Sequence, residues 1–465
     1  MSLELLREQL DRAMLRVLTG GARDASPRHQ TMRQTIAWSY QRLTQSEKKL
    51  FARLAIFERG CALDAARAVI ADDEKIETTW QTLEGIGSLI AKSLLMYREG
   101  ADGAPRFTML EPLREFAREQ LADAETYAAR HAAYFRAFAL QARAHFQTAE
   151  QKAWLDRVEE EHANLRAELA WLFARGDGDA FMQIAGALEL FWYWRGHWSE
   201  ARRWLEQLLA SQVPLSLAAR AKAQDELGGF LWAQGDLAHA DEYVTASLAD
   251  WRASGDQTGL AETLNTAGLI AEAQANYARA AEIYREGLAV RRAQNDQAGI
   301  ALLLNNLAGA LIHLEEYAEA ETACAESFAR AEKIGHRRLI GAVHFDLGAL
   351  AQHQNQFTRA AQNFRAALEL FQQFGDQHRV VGCIERLAHV RVAQNCPLDA
   401  ARLFGAAEAL RAAIGFPIPA SYEIEYAHAV AATRAQCDAD AFARAWAEGR
   451  AWSVEQILNE NPVGS

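Results

Sequence analysis

A 40-residue period runs through residues 222–415 and limits the possible folds more than any other feature of the chain. Small residues recur at Gly228, Gly268, Ala308, Gly348 and Ala388, and alanines follow at Ala240, Ala280, Ala320, Ala360 and Ala400. A third comb, Gly255, Asn295, Gly335, Gly375 and Gly415, falls between the units, and in three cases Asp256, Asp296 or Asp376 follows it. A residue that tolerates left-handed backbone, then a short oxygen-bearing side chain, predicts a helix stop and the N-cap of the next helix. Inside a unit the apolar residues keep helical period, broken once at Gly235-Asp236-Leu237, Asn276-Tyr277, Glu316-Tyr317 and Gln356-Phe357. Each unit is therefore predicted to be two helices joined by a tight turn. Residues 195–201 match the same mid-unit turn, so six units are readable from about residue 180 to 415. Three suffice for a stable stack.

The unit resembles the tetratricopeptide repeat. Asn305-Asn306-Leu307-Ala308 and Asp346-Leu347-Gly348 stand where that repeat has its Leu-Gly pair, and Tyr317-Ala318-Glu319-Ala320 where its second helix begins. The period here exceeds the usual ~34 residues. The expected fold class is mainly α, a winged-helix domain followed by a tetratricopeptide-like α-solenoid of helix pairs.

The N-terminal part supplies the winged-helix expectation. Helices are predicted at 3–17, from about 28 to 40, at 47–56 with Ser46 as N-cap, near 64–70 and at 77–90. Two strands, 93–97 and 106–110, flank a turn-rich segment, and Pro112 opens a helix through Leu121. Leu18-Thr19-Gly20-Gly21-Ala22-Arg23-Asp24, Trp38-Ser39-Tyr40, Met109-Leu110-Glu111-Pro112, Glu161-His162-Ala163-Asn164-Leu165-Arg166 and Arg195-Gly196-His197-Trp198 are similar to the region that follows the nucleotide-binding module in bacterial STAND regulatory ATPases. That resemblance implies a signal-transduction role beside a P-loop NTPase module. No GxxxxGK[ST] occurs in the chain, and Leu110 stands where related NTPases place a histidine that reaches the nucleotide. The chain is expected neither to bind nor to hydrolyse ATP with its own residues. The expected domains are 1–29, a remnant helix and linker following a missing NTPase domain; 30–122, the winged helix; 123–178, a helical spacer; 179–415, the repeats; and 416–465, capping helices.

Charge narrows the partners. The net charge is −12, yet residues 1–60 hold 11 Lys and Arg against 6 Asp and Glu. Nucleic-acid surfaces need clustered positive charge, so a DNA-binding transcriptional regulator built on this basic N-terminal region is the alternative reading. The helix before the wing, Glu77 to Ile90, has two acids and no Lys or Arg, which disfavours nucleic acid. Five scattered cysteines without CxxC spacing suit a reducing cytoplasm, and no apolar run is long enough for a membrane span.

No catalytic, cofactor or metal motif is apparent. His336, His344 and His353 point in different directions on a helix, and neither HxxxH nor HExxH is present. The chain is expected to be non-enzymatic and without cofactor. In this repeat type the first helix of each unit lines the concave face, where Asp225, Gly229, Trp232, Asn265, Glu272, Asn305, Ile312, Phe345, Gln352, Glu385 and His389 fall. With Trp194 from the densest aromatic cluster, the expected groove residues are Trp194, Asp225, Trp232, Asn265, Asn305, Gln352 and Glu385. Amides and acids there suit a protein, a peptide or a small polar effector, preferably cationic. A separate NTPase module is a further expected partner.

Overall fold

The structure is a computed structural model and describes residues 32–70, 76–414 apart from 102, 147 and 149, and 418–459 apart from 419. The helix expected at 3–17, the connector at 18–24 and the stop at Gly415 lie outside the described residues. The described chain forms two compact units, one up to Glu226 and one from Leu227.

The first unit opens with α1 (Met32–Gln41) and α2 (Gln45–Leu54). The N-cap of α2 is Thr44, not the expected Ser46. Thr44 Oγ1 accepts from the Glu47 N–H at 3.3 Å, and the Glu47 carboxylate accepts from the Thr44 N–H at 2.8 Å. This reciprocal box satisfies two orphan donors, where Ser46 could satisfy one. Then come β1 (Cys61–Ala62), α3 (Leu63–Ile70), α4 (Ile76–Ala91), β2 (Met96–Glu99), β3 (Pro105–Thr108) and α5 (Glu111–Glu119). The sheet is antiparallel with order β1-β3-β2, and Tyr97 opposes Phe107.

Both wing strands lie nearer their turn than expected. Ser93 takes positive φ and closes α4, and the Leu94 N–H donates to the Leu89 carbonyl at 2.9 Å. Leu94 and Leu95 thus belong to a helix cap and are buried as core. At the other end Leu110 is the N-cap of α5, so its backbone leaves the ladder. Phe51, Phe57, Val69 and Leu89 fill the centre of the winged helix.

Four helices follow: α6 (Ala124–His145), α7 (Gln151–Arg175), α8 (Gly178–Arg195) and α9 (Trp198–Ala210). Tyr127, His131 and Phe135 line the buried face of α6. Ser216 accepts from the Ala219 N–H at 3.2 Å and caps α10 (Leu217–Ala233), in which the second unit begins.

The second unit is a run of helix pairs: α11 (Leu237–Ser254) after α10, then α12 (Gln257–Ala273) with α13 (Tyr277–Ala293), α14 (Gln297–His313) with α15 (Tyr317–Lys333), α16 (Arg337–His353) with α17 (Phe357–Gln373), and α18 (Gln377–Ala393) with α19 (Pro397–Ile414). The combs have physical roles. Gly255, Asn295, Gly335 and Gly375 all have positive φ. Asp256, Asp296 and Asp376 accept from N–H groups of the following first turn. Where the aspartate is missing, His336 Nδ1 does the same for Leu339 at 3.2 Å. A Cβ at Gly348 would lie 2.7 Å from the Phe364 ring, and one at Gly268 would overlap Tyr284. The small comb therefore makes room for the aromatic sixteen residues on.

The end of this unit is α20 (Ala420–Ala435), α21 (Ala439–Arg450) and α22 (Val454–Asn459). These are the capping helices expected over 416–465. Ser453 and Gln456 form a second reciprocal cap, 2.8 and 3.2 Å, which ends α21 and starts α22 afresh. Among the described residues no helix is long and apolar enough to cross a membrane.

Candidate ligand surface on the first helices of the repeats

Apolar residues of α12, α14 and α16 face the core, and a second stripe on the same helices is polar. Asn265 on α12 accepts from Asn306 Nδ2 on α14 at 2.7 Å. The neighbouring Asn305 is 6% exposed, and its Oδ1 has no hydrogen-bond partner within the protein. Gln352 Oε1 on α16 is likewise a buried atom without a hydrogen bond, while the Glu272 carboxyl on α12 has the Tyr284 hydroxyl as its hydrogen-bonding neighbour. The two amide oxygens can only accept. A buried acceptor left unmade costs roughly 1–3 kcal/mol, so this stripe is matched to a ligand that brings N–H or O–H groups.

Electrostatics point the same way. Burial, reinforced by the negative charge of Asp346, pushes the Glu272 carboxyl up to about 8. Burial also raises Asp346 to about 7, against the opposing effects of Arg379 and Asn305. Tyr284 is buried beside Glu272, and its hydroxyl pKa is raised, by burial first. The repeats thus hold two carboxyls whose ionisation a cationic ligand group would favour.

The other expected positions divide. Trp232 is half-buried on α10. Glu385 does not offer an open carboxylate: it is 2% exposed, and Arg411 donates to its two oxygens at 2.8 and 2.9 Å. Ile312 is buried core, Phe345 packs edge-on to Phe364, and His389 Nε2 lies 2.7 Å from the Tyr422 hydroxyl. In the first unit Trp194 is half-buried with its ring edge-on to Phe146, 6.2 Å between centroids. Asp225 is 5% exposed and lies 3.8 Å from Lys222. Sequence reasoning missed Asp346 and Asn306 as polar members of the stripe. Both lie inside the Leu-Gly-like motifs, and that repeat signature drew attention to their small neighbours.

Among the described residues of the winged helix, six cations are held in ion pairs. Lys92 pairs with Glu47, Arg98 with Glu160, Arg33 with Glu119, and Arg114 and Arg118 share Glu58. Arg106, 3% exposed, is bound by Glu161. These pairs would compete with phosphate contacts. A cleft of about 240 Å³ beside the wing, lined by Asp64, Arg67, Arg106, Arg157, Glu160 and Glu161 among others, is likewise of mixed charge.

Residues 43–122 match the family described as winged helix-turn-helix domain, and residues 219–293 and 299–373 match tetratricopeptide repeat. Over 264 residues, 54% of the chain, the sequence is 33% identical to proteins of Mycobacterium tuberculosis (H37Rv) and Mycobacterium bovis that carry the provisional name of HTH-type transcriptional regulator. The match spans 29% of the length of those relatives. A solved STAND protein with a tetratricopeptide repeat sensor from Pyrococcus horikoshii aligns with a TM-score of 0.50 and 14% identity, covering 99% of this chain and 71% of that one. A Rap protein complexed with competence and sporulation factor aligns with a TM-score of 0.50 and 12% identity, covering 68% and 85%. At such identities the likeness is one of fold. The chain is a mainly α-helical protein in which a winged-helix domain precedes a tetratricopeptide-like solenoid.

Proposed function

We propose that this chain is the non-enzymatic sensing part of a signal-transduction regulator, and that the stripe on α12, α14 and α16 binds a protein or peptide presenting N–H donors and a basic side chain. The observation that carries this reading is the pair of unmet buried amide acceptors at Asn305 and Gln352. The Rap protein of similar fold, solved in complex with competence and sporulation factor, supports a solenoid of this kind as a place for a bound factor. Likeness to the STAND protein supports a partnership with an NTPase module that reads out the bound state.

Panning a randomised peptide library against the full chain tests the proposal. Enriched peptides should be basic, and Asn305→Leu with Gln352→Leu should weaken them at least tenfold, about 1.4 kcal/mol, without loss of helicity. Equal affinity for the double variant would overturn it.

A second reading has support of its own. The winged helix-turn-helix match and the name of the mycobacterial relatives favour transcriptional regulation through DNA. Duplex DNA retained by the full chain with a steep salt dependence would support direct DNA binding. Absence of salt-sensitive retention would leave the regulatory role to partners of the solenoid.

A further inference from the structure

Two motifs of the first unit take no part in the ligand surface, Glu159-x-x-His162 on α7 and His197-x-x-Glu200 at the start of α9. Residues three apart on a helix share a face, so α7 offers a carboxylate and an imidazole on one side. The N-cap position of α9 brings His197 to meet them. The ligating atoms of Glu159, His162 and His197 all lie within 4.8 Å of one another. His162 is 5% exposed. Glu200 Oε1 lies 3.2 Å from its Nε2. His197 Nε2 faces Glu159 Oε2 at 3.1 Å. The two imidazole centroids are 4.5 Å apart, and Phe191 packs on both rings. Glu200 is itself held by Arg166, whose Nε donates at 2.7 Å.

We propose that Glu159, His162 and His197 bind a divalent transition-metal ion, zinc foremost, with Glu200, 3.2 Å from His162 Nε2, as the fourth donor. Two imidazoles and carboxylates are the donor types zinc takes, at about 2.0–2.2 Å. A tetrahedral set of such bonds places donors about 3.4 Å apart. The separation here must therefore contract by up to about 1.4 Å, and Glu159, with a side chain 43% exposed, has the freedom to close it. His162 Nε2 would exchange its contact with Glu200 Oε1 for a bond to the ion. Four protein donors leave no open position, so the ion is structural and ties α7 to the turn between α8 and α9. No local spacing announces the site, because its histidines come from elements 35 residues apart.

The test uses the full chain stripped with chelator, then titrated with Zn²⁺ and, for geometry, Co²⁺. One equivalent of Zn²⁺ should bind with a Kd of about 1 μM or tighter and raise the melting temperature, and Co²⁺ should give the strong visible absorption of a four-coordinate ion. His197→Gln and Glu159→Gln, on partly exposed side chains, should each lose that equivalent while remaining folded. His344→Gln should keep it. Because the five free cysteines can also take zinc, the difference between the parent and His197→Gln is the deciding quantity. Equal stoichiometry and affinity in parent, His197→Gln and Glu159→Gln would overturn the site, as would the absence of saturable binding.

Discussion

Gly228 and Gly229 are neighbours in the chain with opposite surroundings. A Cβ at Gly228 would overlap Val244 of the packed α11, whereas one at Gly229 meets nothing within 4 Å. Gly228→Ala is expected to cost about 1–3 kcal/mol by overpacking. Gly229→Ala is expected to gain about 0.5–1 kcal/mol, since alanine restricts the unfolded chain and suits a helix interior. Urea denaturation of both variants checks the pair, and equal effects would contradict the register of α10 on α11. A second residue-scale prediction concerns Glu272. Its carboxyl rises from an ordinary value near 4.3 to about 8 through burial and the charge of Asp346. The folded state then holds its proton more tightly than the unfolded one. Its contribution is fully favourable below about pH 4.3 and is lost as pH rises towards 8. Glu272→Gln should melt close to the parent at pH 5 and above it at pH 9, by ~2–4 °C for each kcal/mol recovered. An identical pH profile for the two proteins would remove Glu272 from the account.

Element boundaries depend on caps, and those caps show what the sequence could reveal. Asp376 accepts from the Arg379 N–H and pairs with Arg338 at 2.6 Å. Asp376→Ala should cost about 1 kcal/mol through the lost cap, with little added by the half-exposed ion pair, measurable as a shifted denaturation midpoint. The repeating helices were legible because one physical requirement, a close crossing followed by a left-handed stop, recurs every 40 residues and leaves the same small residues each time. The wing was less legible. Leu94 and Leu95 have the apolar character of a strand, yet a positive φ at Ser93 turns them into a helix cap, a choice that rests on tertiary packing. Strand β1 has two residues, too few to leave a pattern. At the ligand surface, Asn305 and Gln352 could be placed by counting along the repeat. Glu385 could not be assigned by counting, because its partner Arg411 comes from the neighbouring helix of the pair.

Considered as a whole molecule, the chain spends its charges mostly on itself. Among the described residues of the winged helix, Arg33, Lys92, Arg98, Arg106, Arg114 and Arg118 are paired with its own acids or with Glu160 and Glu161. In the repeats, by contrast, the stripe on α12, α14 and α16 leaves acceptors unmet and holds two carboxyls against their preferred ionisation. Buried polar groups without partners are costly, and a fold that keeps two amide oxygens so placed along one stripe gains from a ligand that meets them. Photo-crosslinking in living cells tests this most directly. A benzophenone amino acid replaces Gln352 on α16 in one variant and the exposed Glu369 on α17 of the same repeat in another. A discrete adduct is expected from position 352, absent from position 369 and diminished when Asn305→Leu is added. No adduct at 352, or the same adducts from both positions, would contradict the claim that this stripe is where the protein senses its partner.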